Sequence, residues 1–143
     1  MPLRVSLCFG GIKINMKNFQ LLDNIQFNEA NGHAEPIYVD KMGRALLFAL
    51  RPGQAIKEHN VPHSPVYFVV LKGRGMCSGS DGQEHSIEPN TLVVMNPGEN
   101  HTVRALDEDL IFLMVLHGSP WGGELPEHPD IRTHLQMKPL NQA

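Results

Sequence analysis

The chain has little cysteine, no clustered basic charge and no long hydrophobic run at its start, and each absence removes a class of function. Only Cys8 and Cys77 occur among 143 residues, too few for a disulfide framework or a thiolate metal cluster. Both are read as free thiols of a reducing compartment, so the expected location is the cytoplasm. Lysine and arginine total 12 against 15 aspartates and glutamates, a net charge of −3 with histidine neutral. The basic residues are scattered, leaving no footprint for a phosphate backbone, and nucleic acid is not an expected partner. Met1 to Asn15 hold no apolar stretch long enough for a signal segment or a membrane span. Export and membrane anchoring are therefore not expected, and the first fifteen residues are read as dispensable or as the product of an upstream start.

Helical periodicity is also missing between Pro36 and His117. What stands there is a series of short β-branched and aromatic runs broken by Gly, Pro, Asn and Asp, the punctuation of an all-β barrel or sandwich. The runs are Ile37 to Asp40, Arg44 to Arg51, Pro65 to Lys72, Gly75 to Ser80, Gln83 to Glu88, Thr91 to Asn96, His101 to Leu106 and Leu110 to His117. Eight short strands are what a double Greek-key barrel requires. A hydrophobic fraction of 41% with 19% charged residues is that of a folded domain, and a chain of this length buries roughly two-thirds of its unfolded surface. The expected division is an N-terminal extension over 1–33, a barrel over 34–117 and a C-terminal tail over 118–143. Phe19 to Phe27 could add a short helix or a strand.

Three reversals are marked by Pro52-Gly53, Pro97-Gly98 and Asp81-Gly82, the last read as a tight hairpin. Tyr67 to Leu71 and Leu110 to Leu116 are apolar at every position, so both faces of these strands need cover. One face would line the barrel. The other would meet a second sheet or a second subunit, and a homodimer is expected.

Two histidines fall at strand ends in a frame that resembles the cupin superfamily. Its first motif, G(X)5HXH(X)3,4E(X)6G, finds Gly53, His59 and Gly73 in place, with Val61 for the second His and Val66 for the Glu. Its second, G(X)5PXG(X)2H(X)3N, finds Gly98 and His101, with Asn90, Asn96 and Ala105 for Gly, Pro and Asn. The resemblance covers Ala45 to Leu116. It implies a double-stranded β-helix, a jelly-roll cupin barrel, of the small single-domain kind with a degenerate first motif.

The resemblance also implies a divalent transition metal in the barrel mouth, iron, zinc, nickel or manganese. His59 and His101 supply two ligands, and His63 is the candidate third. Four residues of straight strand span about 13 Å, so Pro62 and Pro65 must bend the chain if His63 is to join. Val66 in the carboxylate position removes the obvious general base, which weakens proton-abstracting chemistry. Strand alternation would put Val66, Phe68, Val70, Val103 and Ala105 on one apolar lining, with Phe112 and Met114 added to it. Such a pocket suits a small, partly apolar ligand. The leading expectation is a metal-dependent dioxygenase on a small organic substrate. The alternative is a non-catalytic cupin that binds a small molecule or a metal in a sensing or regulatory role. Glu99 and Asn100 are read as turn residues serving the backbone, and His33, His128 and His134 as solvated histidines of terminal segments.

Overall fold

Burial alternates along Val66–Lys72 and again along His101–Ala105, with every second side chain withdrawn from solvent. That period of two is the signature of strands with one face on a core. The computed structural model describes residues 8–9, 12–13 and 15–117. Its strands are β1 (Cys8–Phe9), β2 (Ile12–Lys13), β3 (His33–Val39), β4 (Gly43–Leu50), β5 (Ala55–His59) and β6 (Val66–Lys72), then β7 (Gly75–Ser78), β8 (Glu84–Ile87), β9 (Leu92–Met95), β10 (His101–Ala105) and β11 (Leu110–His117). A single 3-10 turn, Leu21–Asn24, answers the expectation of a short helix or strand near the N-terminus. No helix among the described residues is long and apolar enough to cross a membrane. The C-terminal tail lies outside the described residues.

Apart from the β1–β2 ribbon, the strands form two antiparallel sheets, ordered β3-β4-β11-β6-β9 and β5-β10-β7-β8. They close face to face around one core. Leu46, Phe48, Phe68, Val70, Phe112 and Met114 of the larger sheet meet Ile56, Cys77, Ile87, Val103 and Ala105 of the smaller. Phe112 is the centre of an aromatic cluster, its ring stacked 4.8 Å from Phe48 and tilted 5.0 Å from Phe68. This is the double-stranded β-helix, all-β and built as expected.

The two sheets hold nine strands against the eight expected, because β5 was not among the expected runs. Ala55-Ile-Lys-Glu-His59 offers one β-branched residue, Ile56, and that is the only one of the five fully buried. The strand exists through its pairing to β10 at the edge of the smaller sheet, tertiary context overriding weak intrinsic preference. In β3 the strand starts at His33, ahead of the expected Ile37, and runs through Pro36. An edge position spares the proline's missing donor, and the register shifts between Pro36 and Tyr38, a bulge of the kind that hosts proline.

The Pro-Gly reversals are turns with a left-handed glycine, Gly53 and Gly98 both at φ +78°. They are closed by Gln54 N–H to Arg51 O (3.0 Å) and Glu99 N–H to Asn96 O (3.1 Å). Proline at the second position and glycine at the third is type II chemistry. The Asp81-Gly82 reversal is wider than a tight hairpin, a loop over residues 79–83 between β7 and β8.

Cover for the outer face of the larger sheet comes in part from the chain itself. Leu47, Ala49 and Ile111 are buried under Leu21, Ile25, Phe27, Ile37 and Leu71. Arg51 fastens this segment: its guanidinium bonds Glu29 (2.9 Å) and Asp109 (3.1 Å) and stands 3.9 Å from the centroid of the Phe27 ring. Gln54 Nε2 donates to the Asn28 carbonyl at 2.9 Å. The rest of that face stays open, with Tyr67, Val115, Val94 and Leu92 exposed by 37, 41, 55 and 62%.

Candidate functional site

β5 and β10 set His59 and His101 directly opposite each other. The two rings lie 4.3 Å apart between centroids with planes tilted by 60°. His101 is 1% exposed, whereas His59 stands at the open rim of the smaller sheet. Each ring is oriented by a carbonyl two residues behind it. His59 Nδ1 bonds Lys57 O (2.9 Å) and His101 Nδ1 bonds Glu99 O (3.0 Å). A carbonyl oxygen only accepts, so each Nδ1 is the protonated nitrogen and each neutral ring carries its lone pair on Nε2.

His101 Nε2 is buried and has no hydrogen-bond partner. Burial pushes the His101 pKa down; the Glu99 carbonyl works against this, and the neighbouring His59 adds to the lowering. The ring is thereby held neutral, the form that binds metals. A buried acceptor without a partner costs about 1–3 kcal/mol, so an occupant at this nitrogen would be stabilising.

His63 does not join the pair. It is exposed in the loop between β5 and β6, next to Pro62. Among the described residues no three His, Cys, Asp or Glu side chains come together as a metal site. The expected three-histidine set is thus not assembled, and the turn that Pro62 and Pro65 were required to supply does not bring His63 onto His59 and His101. The two positions where the motif has ligands and this chain has valine belong to packing: Val66 is a core residue, and Val61 lies against the same cluster.

Val66, Phe68, Val70, Val103, Phe112 and Met114 do share one interior, as alternation predicts, each at most 3% exposed. They are members of one core cluster of buried residues. A cleft of about 510 Å³ lies outside the barrel, where Phe19 and Leu21 pass over Ile37, Tyr38, Ala45 and Leu113, with Lys17 at its edge.

The remaining titratable groups have local roles. His33, expected to be solvated, is a half-buried residue of β3 bonded to Glu35 at 2.9 Å. His85 faces solvent and bonds Asp81 (2.7 Å), which holds that carboxyl below its ordinary range. His117 ends β11 with its ring 6.0 Å from Tyr67. Burial pushes the Cys77 thiol up to about 11, so it stays protonated and unreactive. His128 and His134 lie outside the described residues.

Glu99 and Asn100 serve the turn, as expected, and reach the neighbouring loops as well. Glu99 accepts from Ser80 Oγ (2.7 Å) and from Asn96 N–H (3.0 Å), and Asn100 Oδ1 accepts from Asn60 Nδ2 (2.7 Å). The turn before His101 is tied to the loops on both sides. The available signal was two polar residues placed between a Pro-Gly reversal and the inward histidine.

The same barrel recurs among solved structures. A Thermus thermophilus protein superposes with a TM-score of 0.68 at 23% identity, covering 72% of this chain and 98% of its own. An uncharacterized conserved protein with a double-stranded β-helix domain from Klebsiella pneumoniae gives 0.67 at 17%, covering 72% and 90%. An RmlC-like cupin protein from Desulfovibrio desulfuricans gives 0.64 at 20%, covering 71% and 97%. At these identities the likeness is one of fold. No curated protein matches the chain in sequence. Residues 46–116 match the cupin domain, a span that includes both histidines, the whole smaller sheet and the larger sheet apart from β3 and the start of β4. With the motif glycines at left-handed turns and the histidines opposed across β5 and β10, the chain belongs to the cupin superfamily.

Proposed function

We propose that His59 and His101 bind one divalent transition-metal ion at the barrel rim, leaving its other positions to water or a small-molecule ligand. The observation that carries the reading is the buried, unpartnered Nε2 of His101 beside a second imidazole whose Nδ1 is likewise committed to a carbonyl. Imidazole nitrogen suits zinc, copper, nickel and iron. Both donors are neutral, so a bound ion keeps its full charge and favours an anionic or strongly polar partner. When bound, the ion supplies Lewis acidity to that partner. The protein supplies two fixed lone pairs, an apolar core behind them and an open rim through which ligand enters.

Two protein donors are one fewer than catalytic metal sites ordinarily use. With Val66 in the carboxylate position and buried in the core, no general base stands beside the pair on that strand. Reversible binding of a metal and a small ligand, in a sensing or carrier role, is therefore favoured over dioxygenase catalysis. Calorimetric titration with zinc tests it. His59→Ala and His101→Ala should each weaken binding by tenfold or more, while His63→Ala leaves it unchanged. Equal loss in all three variants would reinstate the three-histidine site, and binding unaffected by His101→Ala would remove the pair as the site.

We also propose that a second copy of the chain covers the open part of the outer sheet face. Val115, Tyr67 and Val94 are neighbours in one cross-strand row, with Leu92 in the next. The row holds no charge. A flat, uncharged sheet face suits a like face packed on it about 10 Å away, as in a two-fold pair.

A further inference from the structure

We propose that Glu99 is the positioning residue of the histidine pair, acting on His101 through the turn they share. The proposal rests on reading that pair as the ligand site. Glu99 makes contacts in three directions. Its Oε1 accepts from Ser80 Oγ (2.7 Å) and Ser80 N–H (3.3 Å) in the β7–β8 loop, and its Oε2 accepts from Asn96 N–H (3.0 Å). Its own amide donates to the Asn96 carbonyl at 3.1 Å. Its carbonyl oxygen accepts the His101 Nδ1 hydrogen at 3.0 Å.

The same turn is held from the opposite side. Gly98 N–H donates to the Val61 carbonyl at 2.9 Å, and Asn60 Nδ2 donates to Asn100 Oδ1 at 2.7 Å, both from the loop that follows His59. The Glu99 carbonyl is therefore fixed between two neighbouring loops, and its direction decides which nitrogen of His101 carries the hydrogen. A ring whose Nδ1 hydrogen is not held can exchange it to Nε2, which removes the lone pair from that buried nitrogen.

The side chain suits this role by its acceptor count. Three donors converge on it, and a carboxylate offers both oxygens, whereas glutamine offers one oxygen and turns a donor toward another donor. Space is tight as well, since a Cβ on Gly79 would lie 3.1 Å from Oε1. No substrate contact is required of Glu99. Its effect passes through backbone geometry to the ring.

The experiment uses protein labelled with nitrogen-15 in histidine, metal-free, at about pH 8 where imidazole is neutral. Long-range proton–nitrogen spectra report the tautomer of His101 directly. The parent should show one tautomer, Nδ1–H. Glu99→Ala should show a mixture and bind zinc about tenfold more weakly, with Glu99→Gln recovering part of the loss through the Ser80 contact. Ser80→Ala, which cuts the same contact from the other side, should shift the tautomer in the same direction and carries the test if Glu99→Ala does not fold. A single Nδ1–H tautomer in both alanine variants would overturn the proposal, as would a mixture already present in the parent. A parent that binds no zinc would sink the metal reading, while the tautomer spectra would still decide the role of Glu99.

Discussion

Gly73 shows what a single position can demand. Its φ is +85°, and a Cβ there would lie 1.9 Å from the Asp109 carbonyl oxygen, so both the backbone conformation and the space exclude any side chain. Gly73→Ala should destabilise the protein by about 3 kcal/mol or more, read as a lowered denaturant midpoint; a change below about 0.5 kcal/mol would contradict the packing described. Asn90 is the instructive opposite. It stands where the second motif has glycine, and its φ is +72°, a left-handed conformation that asparagine tolerates. The departure from the motif is chemically conservative, which the residue type alone already indicates.

His101 makes a prediction of its own. Its folded pKa lies below the ordinary value of 6.5, chiefly through burial. Above the unfolded value neither state gains a proton and stability is level. As the pH falls below about 6.5 the unfolded chain takes up a proton that the folded chain resists, so stability declines. The carboxylates Asp81, Glu84 and Glu99, all lowered by hydrogen bonds in the folded state, add their losses only below their ordinary values of 3.8 and 4.5. Denaturant midpoints of metal-free protein measured from about pH 8 to pH 5 should fall in the parent and fall less in His101→Gln. Parallel profiles would show that His101 does not govern that window.

Among the elements, β5 carries the greatest functional weight for its length. It presents His59 to His101, yet Ile56 is its one fully buried side chain. Ile56→Ala should cost about 2–5 kcal/mol and should loosen His59, so zinc affinity falls although no ligand is changed. Retained affinity in a destabilised variant would show that pairing with β10 alone holds His59. The strand was not legible in the sequence because Lys57, Glu58 and His59 are polar and exposed. β4, β6 and β11 were legible because each writes an apolar run, covered on both faces along much of β4 and β11 and mainly on the inner face along β6, and turns at Gly53 and Gly98 because Pro-Gly has one reading. The exposed loop position of His63 and the inward direction of His101 have one origin. A strand fixes direction by alternation, whereas the proline-flanked loop after β5 carries no periodicity from which direction could be read.

For the whole molecule, the two sheet faces divide structure from association. The inner faces close on an apolar core with Arg44 and His101 buried at its margin, and the outer face of the larger sheet is covered by residues 21–27 on one side and left apolar on the other. The unbroken apolar runs announced that cover was needed. They did not announce that part of it comes from the chain's own N-terminal segment, because Leu21, Ile25 and Phe27 show neither period. The protein should run as a dimer by light scattering, and Tyr67→Glu, a charge set into the middle of the open face, should make it a monomer without unfolding it. A monomeric parent would contradict the proposed second copy.

The central claim is that His101 and His59 hold a metal. It is tested most directly by elemental analysis of the untagged protein, produced with iron, zinc, nickel and manganese all available, beside His101→Ala. The account predicts one metal ion per chain in the parent and none in the variant. Metal absent from the parent, or retained in full by the variant, would contradict it.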